Sequence, residues 1–444
     1  MKRHASASLI DWRRSSPRKP LILRGARQVG KTYLLREFGR EQFPQWHYVN
    51  FEEDRRVRQI FERDLRPERI VNELQLYLNK KISPDTDLVI FDEIQHCPRA
   101  LTSLKYFSEQ MPQLALCSAG SLLGITLNTE SFPVGKVSFL DMFPLTFTEF
   151  LQGTEENLLY DALSRSALKK PLPDIAHERL WELWKWYLIT GGLPEVVATF
   201  NLSKDNLFEA FQSVRKLQKD LIDTYLADIA KHSGKINAMH IERLWRNVPS
   251  QLASTLDGSA PKFRFKDAVP GYRGYRQLSG PLEWLESTGL LLRTFIVKKA
   301  EIPLASFRKE NWFKLYFFDV GILSAMSDLT PQTILDYDFH RFKGYVAENF
   351  VAQELRAIGL SDLYCWQGRT SEVDFLLETP RGIIPIEVKS GQLTQSKSLK
   401  VFTEKYSPYR SVVVSGRNVS HIGRTQRYNL PIYSMAILLS KVTQ

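Results

Sequence analysis

An α/β chain that begins with a parallel sheet is predicted by two motifs and the runs that flank them. Residues 25–32 read Gly-Ala-Arg-Gln-Val-Gly-Lys-Thr, a complete G-x-x-x-x-G-K-[ST] loop. An apolar run at 20–23 suits a buried strand before the loop, and residues 33–38 continue as a helix. Residues 88–93, Leu-Val-Ile-Phe-Asp-Glu, form a second buried-strand run that ends in two acids. Strands alternating with helices imply a parallel sheet covered on both faces.

The chemistry of the loop follows from its residue types. Gly25 and Gly30 let the backbone wrap closely around phosphate, with the amides of Gly25, Ala26, Arg27, Gln28, Val29 and Gly30 cradling it. Lys31 is a point charge for the β- and γ-phosphates, and the Thr32 hydroxyl is a magnesium ligand. Asp92 would hold the same magnesium, usually through water, and Glu93 would polarise the attacking water. Together these residues predict binding of a nucleoside triphosphate with Mg²⁺, and its hydrolysis.

Composition sets the wider bounds. The chain has 444 residues, 43% hydrophobic and 25% charged, a size that suggests about three domains. Its three cysteines, Cys97, Cys117 and Cys365, lie far apart with no C-x-x-C pair, which fits a reduced intracellular chain. No signal-peptide pattern opens the sequence, and no apolar stretch reaches the 18 residues of a membrane span. A cytoplasmic location and no membrane partner are expected. The net charge of +11 favours a polyanionic partner such as DNA.

Past the acidic strand, residues 100–110 have a helical pattern and 114–117 a short buried strand ending at Ser118-Ala-Gly-Ser121. A small polar residue at the tip of a strand beside the acidic one is placed to sense the γ-phosphate. Ser118 and Ser121 are both candidates; an ordinary strand-to-turn transition is the plainer reading. Residues 143–150 read as an extended segment followed by a helix start.

At this point the chain resembles bacterial and archaeal AAA-type ATPases written Gly-x-Arg-Gln-Val-Gly-Lys-Thr, Asp-Glu-Ile-Gln and Pro-Leu-x-Phe-x-Glu-Phe, here residues 25–32, 92–95 and 144–150. The resemblance spans nearly the whole chain and implies ATP, with Mg²⁺, as the nucleotide. Relatives carry a C-terminal module of unknown function. Many of them have Gly-Arg where this chain has Gly135-Lys136; if that arginine meets phosphate, Lys136 keeps the charge and loses the bidentate fork.

The middle of the chain is helical from residue 178, with Trp181, Trp184 and Trp186 spaced as core packing. It runs into Thr190-Gly-Gly-Leu-Pro194. The resemblance implies that Gly192 and Pro194 lie on a helical lid against the nucleotide, whereas local chemistry reads a helix terminator and a proline-started helix. Residues 275–289 read as a helix, and 290–298 and 312–318 as strands. That order predicts a winged helix, with Arg273 and Arg276 at the start of its recognition helix and Lys298 and Lys299 on its wing, facing DNA phosphates. A winged helix used for protein contact, or as a spacer, is the alternative.

In the last third, residues 342–356 carry a helical stripe with Glu348 in its midst. Asp374 lies on a strand at 372–377, a turn follows at 379–382, and residues 383–389 bring Glu387 and Lys389 on the neighbouring strand, on one face. This set is similar to the restriction-endonuclease-like fold of the PD-(D/E)xK superfamily. Asp374 and Glu387 would hold Mg²⁺, Lys389 would stabilise charge or orient the nucleophile, and Glu348 would be an outer acid.

The predicted architecture is therefore a P-loop NTPase parallel sheet (1–155), a helical lid (156–235), a winged helix (236–330) and an α/β restriction-endonuclease-like domain (331–444). The expected function is an ATPase acting on DNA with a metal-dependent nuclease-like site. The competing readings are an ATP-switched regulator that binds DNA or protein without cutting, and an assembly platform without nucleic acid. Homo-oligomerisation and the identity of any arginine finger stay open.

Overall fold

The computed structural model describes all residues except 122–132, 234, 253–261, 267, 341, 393–394, 424–425 and 444. Contacts divide the chain into two compact units, one of Lys2–Phe143 with Ser287–Gly289, the other of Met1, Pro144–Glu286 and Leu290–Gln444.

The first unit alternates α1 (Ala5–Arg14), β1 (Leu21–Gly25), α2 (Lys31–Gln42), β2 (Trp46–Asn50), α3 (Pro67–Leu78), β3 (Leu88–Asp92), α4 (Pro98–Gln110), β4 (Ala115–Ser121) and β5 (Ser138–Met142). Its five strands are all parallel, in the order β2-β3-β4-β1-β5. Both faces of such a sheet are covered by helices, so its central strands are apolar throughout. Accordingly, all five residues of β3 are buried, and Phe51, Phe61, Phe91 and Phe107 pack edge to face beside it. β4 lies between the loop-bearing β1 and the acid-bearing β3.

The second unit opens with α5 (Phe147–Gly153), α6 (Asn157–Ser164), α7 (Asp174–Thr190), α8 (Pro194–Leu202), α9 (Leu207–Ser233), α10 (Lys235–Leu252) and α11 (Tyr275–Ser287). Next come β6 (Leu291–Val297), β7 (Phe313–Phe317), α12 (Val320–Met326), α13 (Pro331–Leu335), α14 (Phe342–Ala357), β8 (Leu363–Gln367), β9 (Glu372–Thr379) and β10 (Gly382–Val388). The unit closes with α15 (Lys397–Tyr406), β11 (Ser411–Ser415), β12 (Ser420–Ile422), β13 (Arg427–Pro431) and α16 (Met435–Thr443). Its strands form one eight-stranded mixed sheet in the order β12-β13-β11-β10-β9-β8-β6-β7.

The winged-helix expectation fails here. β6 and β7 do pair antiparallel, but β6 also pairs parallel with β8, so both strands extend the C-terminal sheet. The physical reason is burial on both faces. Every residue of β7 is buried, as are five of the seven in β6, which a solvent-facing wing could not afford. The tryptophans behave as expected: Trp184 is fully buried and packs with Trp181, Tyr337 and Phe350.

A buried polar junction gives the remaining signature motifs a structural role. Thr146 caps α5 in a reciprocal capping box with Glu149. The Phe147 amide donates to Glu354 Oε1 of α14 at 2.9 Å. The Gly192 amide donates to Asp319 Oδ2 at 2.7 Å, and the Leu145 amide to the Gly192 carbonyl at 2.6 Å. A Cβ on Gly191 would stand 2.1 Å from Asp319 Oδ1, so only glycine fits. Pro194 opens α8 as its first residue, where a missing N–H costs nothing.

Candidate functional sites

In the first unit the loop after β1 delivers its chemistry to the N-terminus of α2. Gln28 and Gly30 adopt positive φ (67° and 90°), which turns successive loop amides the same way. Gly25 has a different reason to be glycine than the sequence suggested. A Cβ there would lie 2.2 Å from the Met142 carbonyl of β5, so close strand packing, as well as phosphate approach, demands it. Arg3 Nη1 donates to the Val29 carbonyl at 2.8 Å and braces the loop.

Lys31 is only 8% exposed and donates to the carbonyls of Gly25 (3.0 Å) and Ala26 (2.8 Å). Burial pushes its ammonium down to about 8, opposed by Glu93 and Asp92. Thr32 Oγ1 donates to Asp92 Oδ2 at 2.7 Å, so the two expected magnesium ligands are adjacent. Tyr48 on β2 donates to the same carboxylate oxygen at 2.7 Å, and burial with that bond pushes its phenol up to about 12. Sequence reading missed Tyr48; the alternating Trp-His-Tyr-Val-Asn strand that carries it was the available signal.

Glu93 sits at φ 49°, a left-handed conformation that costs a non-glycine residue of order 1 kcal/mol or more. Gln95 Nε2 donates to Glu93 Oε2. Among the described residues, Glu52, Glu93 and His96 are the group whose donor atoms all lie within 4.8 Å of one another. Gly25 pairs with Ser121, which puts Ser121 at the same strand end as the loop. Ser118 lies mid-strand between Ile22 and Phe91 and is fully buried, whereas Ser121 ends the strand. Lys136 precedes β5, at the opposite strand end from the loop, and pairs with Glu109 at 2.9 Å, so it is not a phosphate ligand.

In the second unit, α14, β9 and β10 bring Glu348, Asp374, Glu387 and Lys389 to one cleft of about 810 Å³. Phe375 pairs with Ile386, so Asp374 and Glu387 come opposite one another one step along the ladder. The Val388 amide donates to Asp374 Oδ2 at 2.7 Å, and Lys389 Nζ lies 2.8 Å from Glu387 Oε1. Glu387 is 4% exposed and its Oε2 has no hydrogen-bond partner among the described residues. Burial, then the like charges of Glu348 and Glu387, push the Asp374 carboxyl well above the usual range. A divalent cation would relieve that crowding, so the donor set fits one.

The structure adds Lys314 and Tyr316 of β7, which sequence reading missed. Tyr316 Oη donates to Glu348 Oε2 at 2.7 Å, and Lys314 Nζ lies 3.6 Å from that oxygen and also pairs with Glu372. Burial alone would lower the Lys314 ammonium, but Glu372, Tyr316 and Glu348 hold it well above the ordinary value. Glu348 is thus tied to two protein partners of its own. The signal was a lysine inside the otherwise apolar and aromatic run Phe313-Lys-Leu-Tyr-Phe317.

Residues 17–151 match the family model described as "AAA domain". Residues 182–333 and 343–434 match two models each described as a domain of unknown function (DUF8612 and DUF4143). No curated protein is detectably similar in sequence. Among solved structures, the Walker-type ATPase paby2304 of Pyrococcus abyssi is 15% identical with a TM-score of 0.45, over 73% of this chain and 95% of its own. The Aeropyrum pernix ORC1 protein in complex with DNA is 14% identical with a TM-score of 0.33, over 74% and 93%. A signal-transduction ATPase with a tetratricopeptide repeat sensor from Pyrococcus horikoshii is 14% identical with a TM-score of 0.28, over 81% and 47%. The amino-terminal segment is thus similar to AAA-type P-loop domains, a family that implies ATP binding and hydrolysis, typically with Mg²⁺.

Proposed function

We propose that this chain couples ATP hydrolysis in its first unit to action on DNA by its second, where the carboxylate cleft cleaves phosphodiesters with a divalent metal. In the first unit, the loop amides and Lys31 bind the triphosphate, Thr32 and Asp92 hold Mg²⁺, and Glu93 orients water. Ser121 at the β4 tip is the γ-phosphate sensor, and Pro194 with Gly192 reports nucleotide state through the junction that Asp319 organises.

In the second unit, Asp374 and Glu387 are the metal ligands. The bound ion supplies an activated water and a counter-charge to the phosphodiester. Lys389, held against Glu387, stabilises the charge that builds on the phosphate. The observation that carries this reading is the convergence of Asp374, Glu387 and Lys389 from two strands, with a buried carboxylate oxygen of Glu387 left unpartnered.

One observation favours a second reading, in which ATP switches a regulator that binds DNA or protein without cutting it. Glu348 is engaged by Lys314 and Tyr316, so an outer acid that a cutting site could use is already committed. The purified chain separates the two when plasmid integrity and phosphate release are followed together in Mg²⁺. Asp374→Asn is expected to abolish nicking and leave phosphate release unchanged. Wild-type protein that nicks neither plasmid nor single strands at any ATP level sinks the nuclease assignment in favour of the regulator.

A further inference from the structure

Trp312 is surrounded by positive charge. Lys262, Lys298 and Lys309 place their ammonium groups 4.3, 4.6 and 5.4 Å from its ring centroid. All three charges therefore sit within a Debye length of the ring, about 8 Å at physiological salt. Among the described residues none of the three has an ion-pair partner within 4.0 Å, and Trp312 itself is half-buried. Lys298 and Lys309 are exposed.

Backbone pairing, rather than chance rotamers, builds this arrangement. The Ile296 amide donates to the Trp312 carbonyl at 3.0 Å, which fixes the indole at the end of the β6–β7 ladder and brings Lys298 alongside. The Trp312 amide donates to the Lys309 carbonyl at 3.1 Å, closing a turn that folds Lys309 over the ring. The Phe263 amide donates to the Phe313 carbonyl at 2.9 Å, with the two rings stacked at 5.9 Å, and so carries Lys262 in from a third segment. Burial followed by Lys298 and Lys309 lowers the Lys262 ammonium, as crowded cations require.

A cation over an indole face is weakly stabilised at an exposed site. The third cation brings repulsion that a bound anion would relieve. We propose that Trp312, Lys262, Lys298 and Lys309 form a binding platform for single-stranded nucleic acid, with a base stacked on the indole and phosphates held between the lysines. A duplex keeps its bases stacked on one another, so the indole can reach a base face only in an unpaired strand. A polyanion without bases would meet the lysines and leave the ring unused.

Position ties the platform to the cleft. Side chains alternate along a strand, so Trp312, Lys314 and Tyr316 point to one face of the sheet, with Trp312 about 7 Å along from Lys314. Lys314 pairs with Glu372, which lines the carboxylate cleft. The platform therefore adjoins the strand whose Lys314 reaches the wall of the cleft. The functional meaning of that placement rests on the proposed function, while strand binding itself does not.

The test uses the full chain with a labelled oligothymidylate, the matching duplex and heparin. Fluorescence anisotropy should show Trp312→Ala weakening the oligonucleotide about tenfold, Trp312→Phe retaining most affinity, and heparin binding unmoved by either. Lys298→Gln with Lys309→Gln should lower the salt slope for the oligonucleotide by about 1.4, or about 0.7 for each phosphate no longer neutralised. Thermal melts and phosphate release report that the variants are folded. Oligonucleotide affinity unchanged by Trp312→Ala, heparin weakened as much as the oligonucleotide, or duplex bound better than single strand would each overturn the platform. Wild-type protein that binds the oligonucleotide through Trp312 and cuts no form of DNA discards only the nuclease reading and leaves the platform standing.

Discussion

Lys31 shows how a single buried charge reports its own function. Its ammonium is held among the carbonyls of Gly25 and Ala26, and burial brings it down to about 8. Phosphate oxygens favour the charged form, so a bound triphosphate raises that value and nucleotide binding must take up protons wherever free Lys31 is partly neutral. At pH 7 little uptake is expected; at pH 9 it should be roughly half to one proton per nucleotide. Calorimetric titration of Mg·ATP in two buffers of different ionisation enthalpy measures it directly. Lys31→Met should bind weakly, release no phosphate and show no such uptake. Equal uptake at both pH values in wild type would exclude Lys31 as the source.

At the scale of elements, the junction of α5, α14 and the Gly-Gly-Leu-Pro turn carries a titratable group with no counter-charge among the described residues. Glu354 is 1% exposed, accepts from the Phe147 amide through Oε1, and has no hydrogen-bond partner at Oε2. Burial pushes its carboxyl up to about 8, and the Glu149 charge adds to the shift. A carboxyl whose folded value is raised contributes stability that is present below its unfolded value of about 4.3 and lost as pH rises through about 8. Wild-type urea midpoints should therefore fall between pH 5 and pH 9. Glu354→Gln keeps an acceptor for the Phe147 amide and removes the ionisation, so its midpoint should fall less and exceed wild type at pH 9. Parallel decline of the two proteins would place the pH sensitivity elsewhere.

The same elements show what the sequence could and could not reveal. The phosphate loop, the β3 acids, and the α14, β9 and β10 positions were legible because local backbone chemistry and side-chain alternation fix them. The destination of β6 and β7 was not. A hairpin pattern states that two strands pair, and says nothing of which sheet a third partner belongs to, a pairing some seventy residues away at β8. Lys314 was hidden for a related reason, since a lysine in an edge strand ordinarily reads as a blunted edge. Only the sheet and α14 together give it Glu348 and Glu372.

On the scale of the whole molecule, the two units have separate sheets, and each holds a different charged site. A ligand that binds only folded protein stabilises the unit containing its site, by about 2.7 kcal/mol at one hundred times its Kd. Differential scanning calorimetry of wild type should resolve two transitions, because each unit carries its own core. Mg·ATP should raise the transition that belongs to Lys2–Phe143, and Lys31→Ala should cancel the shift without moving the other. Divalent metal without nucleotide should act on the second transition through Asp374 and Glu387, and Asp374→Asn should remove that response alone. The assignments are independent in this measurement, since each variant silences one ligand and leaves the other as an internal control. Should Mg·ATP leave the Lys2–Phe143 transition unmoved at saturating concentration in well-folded wild type, the nucleotide site on the β1–α2 loop is wrong, whatever the carboxylate cleft proves to do.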